Sequence, residues 1–444
     1  MIKNIFIILI VVLLVGCAGQ VPKEADDAFY MNEFGHAAKL ARPFQNKLNR
    51  NFALNNAKLA TIYFTDGAYD LAFSPLLNAG KVMERTVTSS GNAFWSAVSR
   101  EDFKEFKGEP FDRSMCHWYR GIIHYKRGDY EKALAAFRRA LDADKDTMST
   151  NKNADIDFGA GYALAARCYN LLGEPDTAET YISRSSDVNK KLFNDNVVFV
   201  IEWGDAPLKL RDKDVLKCSA YADYIPRSSE ISYAKIFVDK NEAAQINKCS
   251  SAFHQFSCNT EKTANTIQSI KLGTKWTIRI CAFVAATTAV IIATEGKAVA
   301  AAPAAGVAAA LVAGMVIRTE ADVRVWNTLP DVIGISSLSL TPGFHHIAVC
   351  FYDFNDNEIE EWRQVYYYYP IKKDDNLIYS RAAFCHFGNF KFTTEKVNNS
   401  VIKPEIKMRH YLEIEPESKE SDIRVIPLAP AFWKENEVHN FTIF

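Results

Sequence analysis

The stretch HWYRGIIHYKRGDYEKALAAFRRALDAD, His117 to Asp144, constrains this chain's fold more than any other. Two runs with apolar residues at helical spacing flank Gly128 and Asp129, a turn pair, which predicts two antiparallel helices joined by a tight turn. Ala133, Phe137 and Ala140 stand at i, i+4 and i+7 and so share one face of the second helix. Gly121 is a small residue in the first of the two runs, where a second helix can approach closely. One such pair cannot bury its own apolar face and needs stacked neighbours. A weaker copy follows as YALAARCYNLLGEPDTAETYISRSS, with Ala166, Gly173 and Ala178 at the corresponding places. Another precedes it, with Ala60, Gly67, Tyr69, Ala72 and Ala79 in the same relative positions and Pro75 straining its second helix.

On these residues the segment resembles a tetratricopeptide repeat, a helix pair in a unit of about 34 residues. The resemblance implies three stacked hairpins, the first degenerate, over 46–205. A solenoid of this kind offers a concave groove suited to a partner's helix or extended peptide, and His117, Arg120 and His124 are expected to line it. Cys116 and Cys168 sit about seven repeat positions apart, roughly 10 Å along parallel helices, which predicts that they stay unbridged.

After Trp203 the texture changes to short β-branched and aromatic runs between polar turns. Ile335, Leu338 and Leu340 lead into the turn dipeptide Pro342-Gly343, and Ile347, Val349 and Phe351 then alternate along a strand. A turn at NDNE and the returning RQVYYYY complete an antiparallel pattern, so 206–444 is expected to be an antiparallel β-sandwich-like domain, with a barrel as the alternative. The fold class predicted is α+β with two domains. An Ala-rich block, 280–317, interrupts the second half with two apolar runs around Thr294, Glu295, Gly296 and Lys297. It reads as a helical hairpin packed on the protein or on an identical neighbour, with insertion into a membrane as the alternative.

The chain opens with MIKNIFIILIVVLLVGC: a lysine, an apolar run too short for a stable span, and small residues before a cysteine. The order Leu-Val-Gly-Cys resembles the lipobox of bacterial lipoproteins. That resemblance implies removal of 1–16, acylation at Cys17, and a tether over 17–45, part of which is apolar enough to be helical. No aspartate directly follows Cys17, so the expected location is the periplasmic face of an outer membrane.

The 444 residues carry 52 basic and 53 acidic side chains, a formal charge of −1, which becomes −2 when Lys3 leaves with the leader. Nothing in that balance attracts nucleic acid. Of nine cysteines, Cys249 and Cys258 in CSSAFHQFSC form the candidate disulfide, and no cysteine or histidine set has zinc spacing. Asp142, Asp144 and Asp146 begin like a calcium loop, but Thr147 and Asn153 stand where glycine and glutamate are required. The run at Asp353, Asn355 and Asn357 reads as a hairpin turn. Gly159 and Gly161 lack a preceding strand and a third glycine, and are expected to ease helix packing. His345 with His346, and Cys385 with His386, alternate across strands and cannot converge on one atom. No nucleophile elbow, HExxH or Walker loop occurs. The expectation is therefore no catalytic residue, no metal and no cofactor.

The whole arrangement, lipobox, GEPFDRSMCHWYRGIIHYKRGDYEKALAAFRRA, Ala-rich insert, then ADVRVWNTLP and the Pro-Gly turn, resembles an uncharacterised family of bacterial lipoproteins. What it implies is an envelope scaffold whose partners are other envelope proteins, small lipoproteins among them, or a second copy of the chain. The alternatives are a subunit of a secretion or pore complex using the Ala-rich hairpin and, least favoured, an envelope enzyme.

Overall fold

The computed structural model describes residues 19–84, 105–145, 158–185, 188, 190–211, 222–227, 229–257 and 324–383. Cys17 and the leader, Cys258, the block 280–317, and Cys385 with His386 lie outside the described residues.

Among the described residues four helical hairpins come first: α1 (Lys23–Tyr30) with α2 (Phe34–Ala41), α3 (Phe52–Thr65) with α4 (Tyr69–Met83), α5 (Pro110–Lys126) with α6 (Tyr130–Lys145), and α7 (Gly159–Leu171) with α8 (Pro175–Ile182). The last three are the expected repeats. Their turn glycines Gly67, Gly128 and Gly173 adopt φ of 79°, 75° and 84°, a backbone that other residues reach only at a cost. Helix α5 starts where proline is tolerated, with Pro110 in its first turn, and is closed by a capping box between Glu109 and Asp112. Helix α4 continues through Pro75, which is buried.

The hairpins stack because their facing residues are small or aromatic in alternation. Trp118 of α5 packs at 5.6 Å from Phe137 and 5.2 Å from Phe158. At Gly121 an added Cβ would stand 2.4 Å from the Phe137 ring. Gly121→Val is accordingly expected to lower unfolding free energy by about 1–3 kcal/mol through overpacking, with Phe137→Leu in the same chain recovering part of the loss in urea titrations. Gly159 and Gly161 also mark close packing: a Cβ on Gly161 would reach Phe158 at 2.8 Å and Leu141 at 3.0 Å.

The stretch expected as a tether is folded. Val21, Ala25, Phe29, Phe34, Ala37 and Ala41 are buried against Leu59 and Ile62 of α3, because their three- and four-residue spacing gives α1 and α2 an apolar stripe. Lys58 clamps Asp26 at 2.7 Å with both side chains nearly inaccessible. Even Gly19 is held, its carbonyl accepting from Asn55 at 2.7 Å and Asn49 at 3.0 Å.

The strands are β1 (Val197–Trp203), β2 (Leu208–Arg211), β3 (Ala222–Ile225), β4 (Tyr233–Val238), β5 (Asn241–Ile246), β6 (Ser250–Ser251), β7 (Val332–Leu338), β8 (Gly343–Tyr352), β9 (Gln364–Ile371) and β10 (Asn376–Ala382), with a short helix α9 (Ala252–Ser257) after β6. One sheet has the order β10-β1-β7-β6, a second β5-β4-β8-β9, and β2 with β3 form a two-stranded ribbon. The second sheet is antiparallel throughout, and Ile347, Val349 and Phe351 are buried on its inner side as their alternation predicts.

Two features depart from the expected hairpins. Strands β7 and β8, joined at Pro342-Gly343, enter different sheets, so the link is an arch between layers and not a hairpin. Strand β10 runs parallel to β1. Strand β1 is also central to its sheet although it lies ahead of the boundary expected at 206. Its seven residues are all buried because it is covered on both faces. Val197, Phe199, Ile201 and Trp203 join the core between the sheets. Val198 and Val200 join the core of the helices. The architecture is thus α+β in three layers: helical hairpins, first sheet, second sheet.

Candidate functional site

The side chains that join the layers meet at β1. Its even-numbered residues face the helices, and the third of them is an acid. Glu202 is fully buried and accepts hydrogen bonds from Tyr379 Oη at 2.7 Å, Tyr119 Oη at 3.0 Å and Trp118 Nε1 at 3.2 Å. Its neighbour across the ladder in β10 is Arg381, whose guanidinium donates to the Thr328 carbonyl at 2.5 Å and lies 5.2 Å from the Phe29 ring. Burial pushes the Glu202 carboxyl above its usual range, against the opposing pull of Arg381 and the three donors.

The seam continues in both directions. Toward α1, Trp326 Nε1 reaches Thr61 at 2.8 Å and Thr328 at 3.0 Å, Asn327 donates to Asp26 at 2.9 Å, and the Tyr30 hydroxyl donates to the Asn327 carbonyl. Toward α7, Arg167 pairs with Asp375 at 2.5 Å, both side chains 4% exposed. The same guanidinium donates to the carbonyls of Asp195, at 2.7 Å, and Leu192. Burial raises the Asp375 carboxyl, and Arg167 draws it back down.

A third set lies along the outer side of β10. The carbonyls of Leu377, Tyr379 and Arg381 accept from Lys126 Nζ at 2.7 Å, Tyr366 Oη at 3.4 Å and Gln364 Nε2 at 2.6 Å. Lys126 is partly exposed along its length, yet its ammonium is enclosed, 4.8 Å from the Tyr69 ring. Burial without a carboxylate partner draws its pKa down to about 7.

These bonds fill the solenoid's groove face with the chain's own sheet, which corrects the expectation for its lining. His117 is buried and pairs with Glu84 at 2.5 Å. Arg120 stands 3.5 Å from His117 Nδ1, and the His124 ring packs edge-on against Phe73 of α4 at 5.3 Å. His117 and His124 turn toward the end and the middle of α4, and Arg120 toward His117; Trp118, Tyr119 and Lys126 make the bonds to the sheet. An acid inside the apolar run VVFVIEW was the available signal for Glu202, and a lone arginine in GAGYALAARCYNL the signal for Arg167.

The other candidates fall apart geometrically. His345 pairs with Asp239 at 2.7 Å, whereas His346 packs on Tyr367 and Tyr368 at 5.5 and 4.6 Å. Asp353 accepts from the backbone of Asn355 and Asn357 at 2.8 and 2.9 Å, closing its own turn. Cys116 and Cys168 are buried thiols, unbridged as predicted. Cys249 lies 3.6 Å from the Ser185 hydroxyl; its expected partner Cys258 is outside the described residues. Among the described residues no group of three His, Cys, Asp or Glu is placed to hold a metal ion, and no helix is long and apolar enough to cross a membrane.

The fold therefore defines a stack of helical hairpins whose inner face is closed by sheets of the same chain. Residues 114–147 match the family model described as tetratricopeptide repeat. The chain is also similar to the Photosystem I assembly protein Ycf3 of Prochlorococcus marinus strain MIT 9303, 28% identical over 134 residues, 30% of this chain and 65% of that protein. The same protein of strain MIT 9313 matches to the same extent. The chain spans 65% of the length of these relatives.

Proposed function

We propose that the chain is a lipid-anchored protein of a bacterial envelope, fixed through Cys17 to the periplasmic face of the outer membrane, and that it works by binding proteins and not by catalysis. The observation that carries the binding role is the tetratricopeptide unit at 114–147, a repeat whose stacked helix pairs serve as protein docking surfaces. Similarity to an assembly protein points the same way and favours a part in building a larger envelope complex. Because β1 and β10 occupy the groove face, docking falls to the outward helices. Helix α6 presents Lys132, Ala135, Arg138 and Arg139 to solvent. The candidate partners are other envelope proteins, small lipoproteins included, or a second copy of the chain.

Photo-crosslinkers placed at Ala135 and Lys132 in living cells test this reading. The expected result is capture of one stoichiometric partner, lost when Arg138 and Arg139 are changed to Glu, with no capture from the buried Tyr119. Absence of any stoichiometric capture from α6 would overturn the docking role. Mass spectrometry of the mature N-terminus tests the anchor separately, with an acylated Cys17 as the expected species.

A further inference from the structure

We infer that the loop from Arg42 to Arg50, together with the end of α2, is a membrane-facing surface that rests on an anionic phospholipid bilayer. The placement rests on the proposed anchor at Cys17. From Phe34 to Thr65 the chain has no acidic residue but carries Lys39, Arg42, Lys47, Arg50 and Lys58. Lys58 is spent on Asp26 inside the fold. Lys39, Arg42 and Lys47 are exposed, and between the last two the chain turns through a short 3-10 helix at Arg42–Phe44. At the tip stands Leu48, 87% exposed, beside Lys47, whose ammonium lies 4.2 Å from the Phe44 ring. An isolated exposed leucine needs no explanation. One beside a lysine, on the loop that holds the point where the described chain begins, is a different matter.

That point is fixed by the structure. Asn49 of this loop holds the Gly19 carbonyl at 3.0 Å, and Asn55 bonds both Gly19 and Val21. Two residue steps separate Gly19 from Cys17, at most about 7 Å of chain, and a lipid headgroup layer is itself about 5–8 Å deep. A body tied so short cannot stand clear of the bilayer, and the loop bonded to Gly19 is what meets the surface. Its cations fit anionic headgroups, and Leu48 fits the boundary beneath them, as in interfacial anchors that combine charge with apolar insertion.

The test uses the mature chain from residue 17 with Cys17→Ser, exported behind a cleavable leader, so that no acyl chain contributes. Its partition is measured onto vesicles of phosphatidylglycerol with phosphatidylcholine, and onto phosphatidylcholine alone. The expected result is binding to the anionic vesicles that weakens with salt and falls about a hundredfold when Lys39, Arg42 and Lys47 are all changed to Gln, at about fivefold per charge. Leu48→Ser should cost about tenfold more. Equal partition onto both vesicles, unaltered by either set of substitutions, would overturn the inference. Failure of the anchor reads out elsewhere: an unmodified Cys17 in native envelopes removes the lipid but leaves the vesicle result standing.

Discussion

Arg167→Met is expected to lower the free energy of unfolding by about 3–5 kcal/mol, the cost of leaving a buried charge unpaired. The large effect follows from the surroundings of the pair. Asp375 is 4% exposed, and the carbonyls of Leu192 and Asp195 lose their donor at the same time. A chain carrying both Arg167→Met and Asp375→Leu should recover much of the loss, because removing both charges ends the unpaired-ion cost and leaves only the carbonyls to satisfy. Urea titrations of the single and double variants, set out as a double-mutant cycle, measure this. A double variant no more stable than the single would place the pair's contribution in specific bonding and not in charge compensation.

Glu202→Leu should be as damaging, since it strips the acceptor from Trp118, Tyr119 and Tyr379 and leaves Arg381 buried without its acid. At about 1–3 kcal/mol for each unsatisfied group, the sum approaches the whole stability of an ordinary domain. Little folded protein is expected. Glu202→Gln keeps the shape and one acceptor oxygen, and it isolates the role of charge. The folded carboxyl holds its proton more tightly than the unfolded one, so its contribution to stability is greatest below the unfolded pKa of about 4.3. It declines as pH rises from there toward the folded pKa and is level beyond it. Subtracting the Gln variant's stability profile from that of the parent between pH 3.5 and 8 should therefore give a falling curve. A flat difference would mean that Arg381 and the three donors balance the burial.

The helical repeats were legible because their signals are local. Gly67, Gly128 and Gly173 each sit between two helical runs, and each adopts the positive φ its turn requires. The alternation of Ile347, Val349 and Phe351 was legible for the same reason. What was hidden depends on pairing across the chain. Strand β1 meets β10, with Val197 opposite Asn376; the unbroken apolar run VVFVIEW fits a strand covered on both faces, but no short-range pattern tells which distant elements cover it. The same blindness put His117, Arg120 and His124 in a groove. Helical spacing shows which residues share a face, but only the seated sheet shows that the groove face is the one bearing Trp118 and Tyr119. The two short helices after Val21 were partly visible as apolar stripes. Their docking through Asp26 and Lys58 was not, because an acid and a base 32 residues apart carry no mark of being partners.

The capped side of β10 has a consequence for how two copies of the chain can meet. An exposed sheet margin is a template on which another polypeptide can add its own strand. Here the three outward carbonyls are already taken by an ammonium, a phenol and an amide from the same molecule. Among the described residues, copies that collide along that flank meet acceptors already occupied, which disfavours strand addition at that margin.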